Sequence, residues 1–226
     1  MLRSNPVAIK GAAAEEHHAR PVPTFETVAR LADAIEPRFC ALVWTAATSA
    51  LRYSELTGLS RVHVDLKRAT VRVERALAFE RGAGATLGPP KTPAAHRTVT
   101  LPAVTVDVLR AHLAEFVASM PDALVFTSVK GSPLLYSYLA PFWSRAKQSA
   151  GVDRGLHFHD LRHLASTTAA SPGASIRELM ARMGHATSDA SLRYLEASAR
   201  RDAEIAAAMD ARIGTARRER TDFHEN

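Results

Sequence analysis

The sequence predicts a mainly α-helical domain with a small antiparallel β-sheet near its N-terminal part, an α+β fold. Apolar residues recur at helical spacing before about residue 60 and again after Pro102. Between them, residues 62–101 alternate apolar with polar, as half-buried strands do. The 226 residues are enough to bury one substantial core, and no internal repeat divides them.

Residues 1–23 read as a leader or linker. The stretch Ala12-Ala13-Ala14-Glu15-Glu16-His17-His18 has no apolar period, and Pro21-Val22-Pro23 closes it stiffly. Thr24 is placed to cap a helix whose apolar positions Val28, Leu31, Ala32 and Ile35 share one face, with Pro37 as its stop. A second helix is expected from about Arg38 to Ala50, apolar on nearly every side and therefore buried. A short helix follows Arg52 and ends at Gly58.

Val62, Val64, Val71, Val73, Val99 and Leu101 predict two or three antiparallel strands around a mobile tip, Arg81-Gly82-Ala83-Gly84-Ala85. Gly82, Gly84 and Gly88 lack the spacing and the following Gly-Lys-Ser/Thr of a phosphate-cradling loop, so they read as turn residues. Helices are expected over 103–119, 136–150, 160–170, 175–183, 188–197 and 200–213, with an edge strand at 124–127. The expected domain therefore covers 24–213, followed by a flexible tail at 214–226.

The longest apolar stretch, Phe39 to Leu51, is shorter than the roughly 20 residues a bilayer requires, and it lies too far into the chain for a secretory signal. The single cysteine, Cys40, allows no internal disulfide, which fits a reducing cytoplasm. A net charge of +6 suits a polyanionic partner such as DNA, and suits a basic soluble protein without one equally well.

Six polar residues stand out by type and order: Arg52, Lys91, His159, Arg162, His185 and Tyr194. Breaking a phosphodiester requires a nucleophile, positive charge for the phosphorane oxygens and a proton for the leaving oxygen. Arginine forks bind two phosphate oxygens and stay charged. His159 and Arg162 are three apart at a helix start, one face of which both can share. A phenol such as Tyr194 is only about one-thousandth ionised at neutral pH, so it needs nearby cations and a base. Lys91, in a strand-connecting turn, is long enough to protonate a leaving 5′ oxygen. Singly, they have plainer readings: Arg52 as a cap or ion pair with Glu55, Lys91 as a surface lysine, His159 with His163 as a polar helix edge, Tyr194 as a core aromatic between Leu192 and Leu195, and His185 as a loop residue after Gly184.

The chain resembles the catalytic domain of the tyrosine recombinases, in particular the phage integrase branch found in actinobacterial prophages. The resemblance runs from about Pro23 to Met209 through Leu51-Arg52-Tyr53-Ser54-Glu55-Leu56, Pro90-Lys91-Thr92 with Arg97-Thr98-Val99, His159-Asp160-Leu161-Arg162-His163, Leu179 to His185, and Leu192-Arg193-Tyr194. It implies the DNA breaking-rejoining fold and site-specific recombination through a covalent 3′-phosphotyrosyl intermediate. Arg52, Arg162 and His185 would hold the phosphate, Lys91 would be the general acid, His159 would assist proton transfer, Glu55 would brace Arg52, and Tyr194 would be the nucleophile. The tyrosyl phosphate conserves the bond energy, so no ATP, metal or other cofactor is expected. The implied partners are double-stranded DNA and further copies of the chain in a tetrameric synapse, and no membrane.

The sequence departs from the family pattern in three ways. Ala50 stands where glycine usually precedes Leu-Arg, Leu164 replaces a threonine after His163, and residues 1–23 read as a linker where the resemblance implies a helical core-binding domain. Three rival readings compete with recombination: a metal hydrolase using His157, His159, His163 and His185, a noncatalytic DNA-binding module, and a type IB topoisomerase. Residues 201–213, with Ile205, Ala208, Met209 and Ile213 at helical spacing, suit either packing in cis or docking on a neighbouring subunit.

Overall fold

A computed structural model describes residues 22–80, 84–170 and 175–184. Helix α1 (Phe25–Ala34) begins at Thr24, whose hydroxyl accepts from the Thr27 amide at 3.2 Å. Helix α2 (Pro37–Ser49) is the central element. Pro37 opens it in the first turn, where its missing N–H has no intrahelical partner to lose, instead of merely ending α1. Phe39, Leu42, Val43, Ala46 and Ala47 are buried, and α2 packs against α1, helix α4 (Ala103–Phe116) and helix α6 (Asp160–Ala170). Three hydroxyls also lie within this buried helix. Those of Thr45, Thr48 and Ser49 donate back to the carbonyls of Ala41, Trp44 and Thr45 at 2.7, 2.8 and 2.6 Å, which removes the penalty of burying them unpaired.

Helix α2 is closed by Ala50, which adopts the left-handed conformation (φ 57°, ψ 22°), and α3 (Tyr53–Thr57) starts three residues later. At the end of α3, Gly58 lies against Arg75 and Ala76; a Cβ there would come within 2.7 Å of the Arg75 carbonyl oxygen. Only glycine permits that approach.

The alternating region forms two sheets rather than one. Strands β1 (Val64–Asp65), β2 (Thr70–Val73) and β5 (Arg97–Thr100) make an antiparallel sheet in the order β1-β2-β5, with Val71 opposite Val99 and Val73 opposite Arg97. Strands β3 (Ala76–Glu80) and β4 (Gly84–Gly88) form a separate hairpin in register Ala76↔Gly88. The expected strand at 124–127 is not formed. That segment makes single bridges only, Ser60↔Leu124 and Thr127↔Pro133, because its neighbours pair with it at one residue each.

Helices α4, α5 (Tyr136–Ser149), α6 and α7 (Ile176–Met183) lie where helical spacing places them, although α4 stops at Phe116 instead of 119. Ser175 caps α7, and Gly184 ends it with φ 64°. Leu164 is a buried core residue, so the threonine-to-leucine departure is a packing one. The helices expected at 188–197 and 200–213, and the leader and tail segments, lie outside the described residues. No described helix is long and apolar enough to cross a membrane.

Candidate active site

Four arginine and glutamate side chains gather where α2, α3, β5, α6 and α7 meet. Arg52 is the residue just before α3, at the outlet of the left-handed turn made by Ala50. Glu55, one helical turn on, is 2% exposed and accepts from the Arg52 amide at 2.8 Å and from the Arg52 guanidinium at 2.9 Å. This is the ion pair foreseen as the plain reading of Arg52, yet the Arg52 side chain remains 40% exposed, so one side of its fork faces solvent.

Arg162 lies within the first turn of α6 and is 4% exposed. Its guanidinium donates to the carbonyls of Ala50 and, at 3.0 Å, Met183. Arg97 donates through Nε to the Arg182 carbonyl at 2.8 Å, and Arg52 reaches the Gly184 carbonyl at 3.5 Å. Three successive carbonyls at the C-terminal end of α7 thus receive three different guanidinium groups. The negative end of that helix favours cations there. His185 follows Gly184 directly in the chain.

His159 and Arg162 line one cavity of about 330 Å³, together with Leu51, Tyr53, Tyr136 and Phe158. Asp160 is buried and caps the turn leading into α6 by accepting from the His157 amide at 2.7 Å. His159 stands edge-on to His163, with ring centroids 5.0 Å apart. Partial burial, then the charges of His163, Arg162 and Arg52, hold its pKa below the ordinary histidine value despite the opposing pull of Asp160. At neutral pH it is an uncharged imidazole, able to accept a proton. For Glu55 the balance differs. Burial pushes its pKa up, but hydrogen bonds and charge from Arg97, then Arg52, outweigh burial and keep it an ionised carboxylate.

Of the sequence-predicted site residues, Arg52, Glu55, His159 and Arg162 therefore come together. Lys91 is exposed in the bend between β4 and the 3₁₀ turn Pro93–Ala95; it does not line the cavity and makes no hydrogen bond or ion pair among the described residues. His185 and Tyr194 lie outside the described residues. Among those described, no three metal-ligating side chains form a cluster.

Sequence reading missed Arg97 as a member of this group. Its signal was a charge in phase with Val99 on the inward face of a strand, where an apolar residue is expected. Arg182 was missed as well; it donates to the carbonyls of Thr48 at 2.8 Å and Thr100 at 3.3 Å, tying α7 to α2 and β5.

The phage integrase family model matches residues 23–201. This chain belongs to the phage integrase family. It is 37% identical over 213 residues to the prophage phiRv2 integrase of Mycobacterium tuberculosis, covering 92% of this chain and 56% of that protein. It is 32% identical to the integrase of Mycobacterium phage L5, covering 92% of this chain and 57% of the relative. The chain thus spans a little over half the length of these relatives.

Among solved structures, the Tn1549 transposon integrase in complex with transposon right end DNA superposes with a TM-score of 0.74 at 18% identity, over 91% of this chain and 72% of that one. The XerA recombinase gives a TM-score of 0.62 at 23% identity, over 78% and 59% of the two chains. The fold is that of the tyrosine recombinase catalytic domain, as the motifs implied.

Proposed function

We propose that this chain is the catalytic domain of a site-specific DNA recombinase, which cleaves and rejoins double-stranded DNA through Tyr194 to integrate or excise an element. The observation that carries this reading is the convergence of Arg52 and Arg162 beside His159, at the end of the helix that leads in sequence to His185 and Tyr194. Two guanidinium groups fixed by other bonds are suited to a phosphate in trigonal-bipyramidal geometry, because their charge is already in place when it develops on the oxygens.

In this reading the phenol oxygen of Tyr194 attacks the phosphorus and the bond to the 5′ oxygen breaks. His159 takes the phenolic proton, Lys91 protonates the departing 5′ oxygen, and His185 binds a phosphate oxygen. Reversal by another 5′ hydroxyl rejoins the strand without ATP or metal. The tyrosines lining the cavity support Tyr194 as the nucleophile. Of the four in the chain, Tyr53 and Tyr136 have pKa values that burial pushes up, which makes their phenolates scarcer. We place the catalytic unit at residues 24–213, acting in the cytoplasm as several copies on DNA.

The decisive experiment offers the chain a pool of nicked duplexes with randomised sequence around the nick, then captures protein-linked DNA after denaturation. A nick lets the short 5′ fragment diffuse away, so a covalent adduct accumulates. The wild-type chain is expected to enrich one sequence family as adduct, and Tyr194→Phe to yield none while keeping its helical circular dichroism. An adduct that persists in Tyr194→Phe removes Tyr194 from the role. DNA binding without any adduct from the wild type favours the noncatalytic module instead.

A further inference from the structure

Arg97 opens β5 with a side chain only 6% exposed, in the interior of the fold. Nη2 donates to Glu55 Oε2 at 2.8 Å and Nη1 to Glu55 Oε1 at 3.2 Å, so the carboxylate is gripped by both arms of the fork. Nη1 also reaches the Ala95 carbonyl at 2.9 Å, and Nε the Arg182 carbonyl at 2.8 Å. A Cβ on Gly184 would lie 2.7 Å from Nη1, so the last turn of α7 rests directly on this guanidinium. Glu55 meanwhile holds the Arg52 amide and guanidinium. Arg97 thus joins Arg52 itself in bonding both to Glu55 and to the end of α7, and it does so from the buried side.

The charge balance gives this connection a consequence. Arg52 and Glu55 alone would be a neutral pair, and a phosphate approaching Arg52 would meet an uncompensated carboxylate behind it. With Arg97 the trio carries a net charge of +1, because the buried guanidinium satisfies Glu55 from the far side. Glu55 then orients Arg52 without consuming its charge. We propose that Arg97 is a positioning residue for the phosphate-binding Arg52, acting through Glu55 while seating the end of α7. This rests on the reading of Arg52 as a ligand of the scissile phosphate. Lysine cannot substitute: it lacks the planar fork and the third, Nε donor.

The test measures adduct formation on a nicked duplex selected from the random pool by the wild-type chain, at saturating DNA, with the half-saturating DNA concentration determined separately. Arg97→Gln is expected to slow adduct formation about a hundredfold, the scale of a misplaced catalytic contact, and Arg97→Lys to stay at least about tenfold slow. The half-saturating DNA concentration should move far less. Arg97→Gln/Glu55→Gln removes the uncompensated carboxylate along with its partner and should recover at least about tenfold of the loss. Where Arg97→Gln alone fails to fold, the double variant is compared with Glu55→Gln, and the two should react at similar rates.

A wild-type rate in Arg97→Gln or Arg97→Lys, or a double variant no faster than Arg97→Gln, overturns the proposal while leaving Tyr194 as nucleophile intact. No adduct from the wild type overturns the nucleophile reading itself, and this inference with it.

Discussion

Arg162 and Lys91 carry the same charge under opposite conditions, and only Arg162 lines the cavity beside His159. Arg162 is 4% exposed, bound to the carbonyls of Ala50 and Met183, and enclosed by the packing of α2 against α6. Lys91 is exposed in a bend beyond the β3–β4 hairpin and has no bonding partner among the described residues. The difference suits the two roles proposed for them. A charge that stabilises developing phosphate oxygens helps most when it needs no reorganisation. A proton donor has only to reach one oxygen once the DNA is in place, so a long side chain on a loop suffices.

The largest effect that sharpens this contrast is expected from Arg162→Ala. It should lower cleavage by about a hundred- to a thousandfold, as removal of a preorganised donor does. It also leaves two buried carbonyls unpaired, each costing about 1–3 kcal/mol, so thermal or denaturant unfolding should show a clear loss of stability. Arg162→Lys should keep part of the stability and little of the cleavage. If Arg162→Ala lost DNA binding and cleavage in equal measure, Arg162 would be a positioning contact for DNA rather than a transition-state one.

Lys91→Ala should separate what Arg162→Ala joins. An exposed, unpartnered lysine contributes within about 0.5 kcal/mol to stability, so unfolding should be unchanged. Cleavage should nevertheless fall by about a hundredfold or more if Lys91 is the general acid. The loss should largely disappear on a duplex whose bridging 5′ oxygen is replaced by sulfur, since a thiolate with a pKa near about 8.5 leaves without a proton. A Lys91→Ala defect of the same size on both duplexes would make Lys91 a phosphate contact instead.

The same contrast explains how much of the molecule was legible in its sequence. Helices α1 and α2 were readable because each displays local signals: Thr24 as a cap and one apolar face in α1, and an unbroken apolar run in α2, whereas Pro37 was read only as the stop of α1. The Arg52–Glu55 pair was readable because both lie within one turn of chain. Arg97 was not, since its partner Glu55 is 42 residues away and an isolated arginine reads as a surface residue. The β3–β4 hairpin was hidden for another reason. Its strands contain Ala76, Ala78, Gly84, Ala85 and Gly88, small residues that blur alternation, and Leu87 faces solvent at 39% exposure. For Arg97 the determining contact is non-local, and a sequence pattern records only the local half of it; for the hairpin the pairing is local, but its small residues leave no alternation to read.

Ala50 offers the gentlest probe of whether the fixed packing around Arg162 extends into the turn before Arg52. It is fully buried at φ 57° against Ala165, Leu179 and Met183, and its carbonyl is held by Arg162. A left-handed L-residue is strained by about 1–2 kcal/mol, so Ala50→Gly gains that relief. It gives up about 0.4–1 kcal/mol in unfolded-chain entropy and about 0.8 kcal/mol for one buried methyl. These nearly cancel, and Ala50→Gly should unfold within about 1 kcal/mol of the wild type and cleave DNA at a similar rate. Ala50→Val, which places a β-branched side chain in a left-handed, fully packed site, should lose at least about 2 kcal/mol. A stable Ala50→Gly that cleaves much more slowly would mean the methyl itself holds the turn in register. The turn before Arg52 would then depend on side-chain packing as well as on the Arg162 bond to the Ala50 carbonyl.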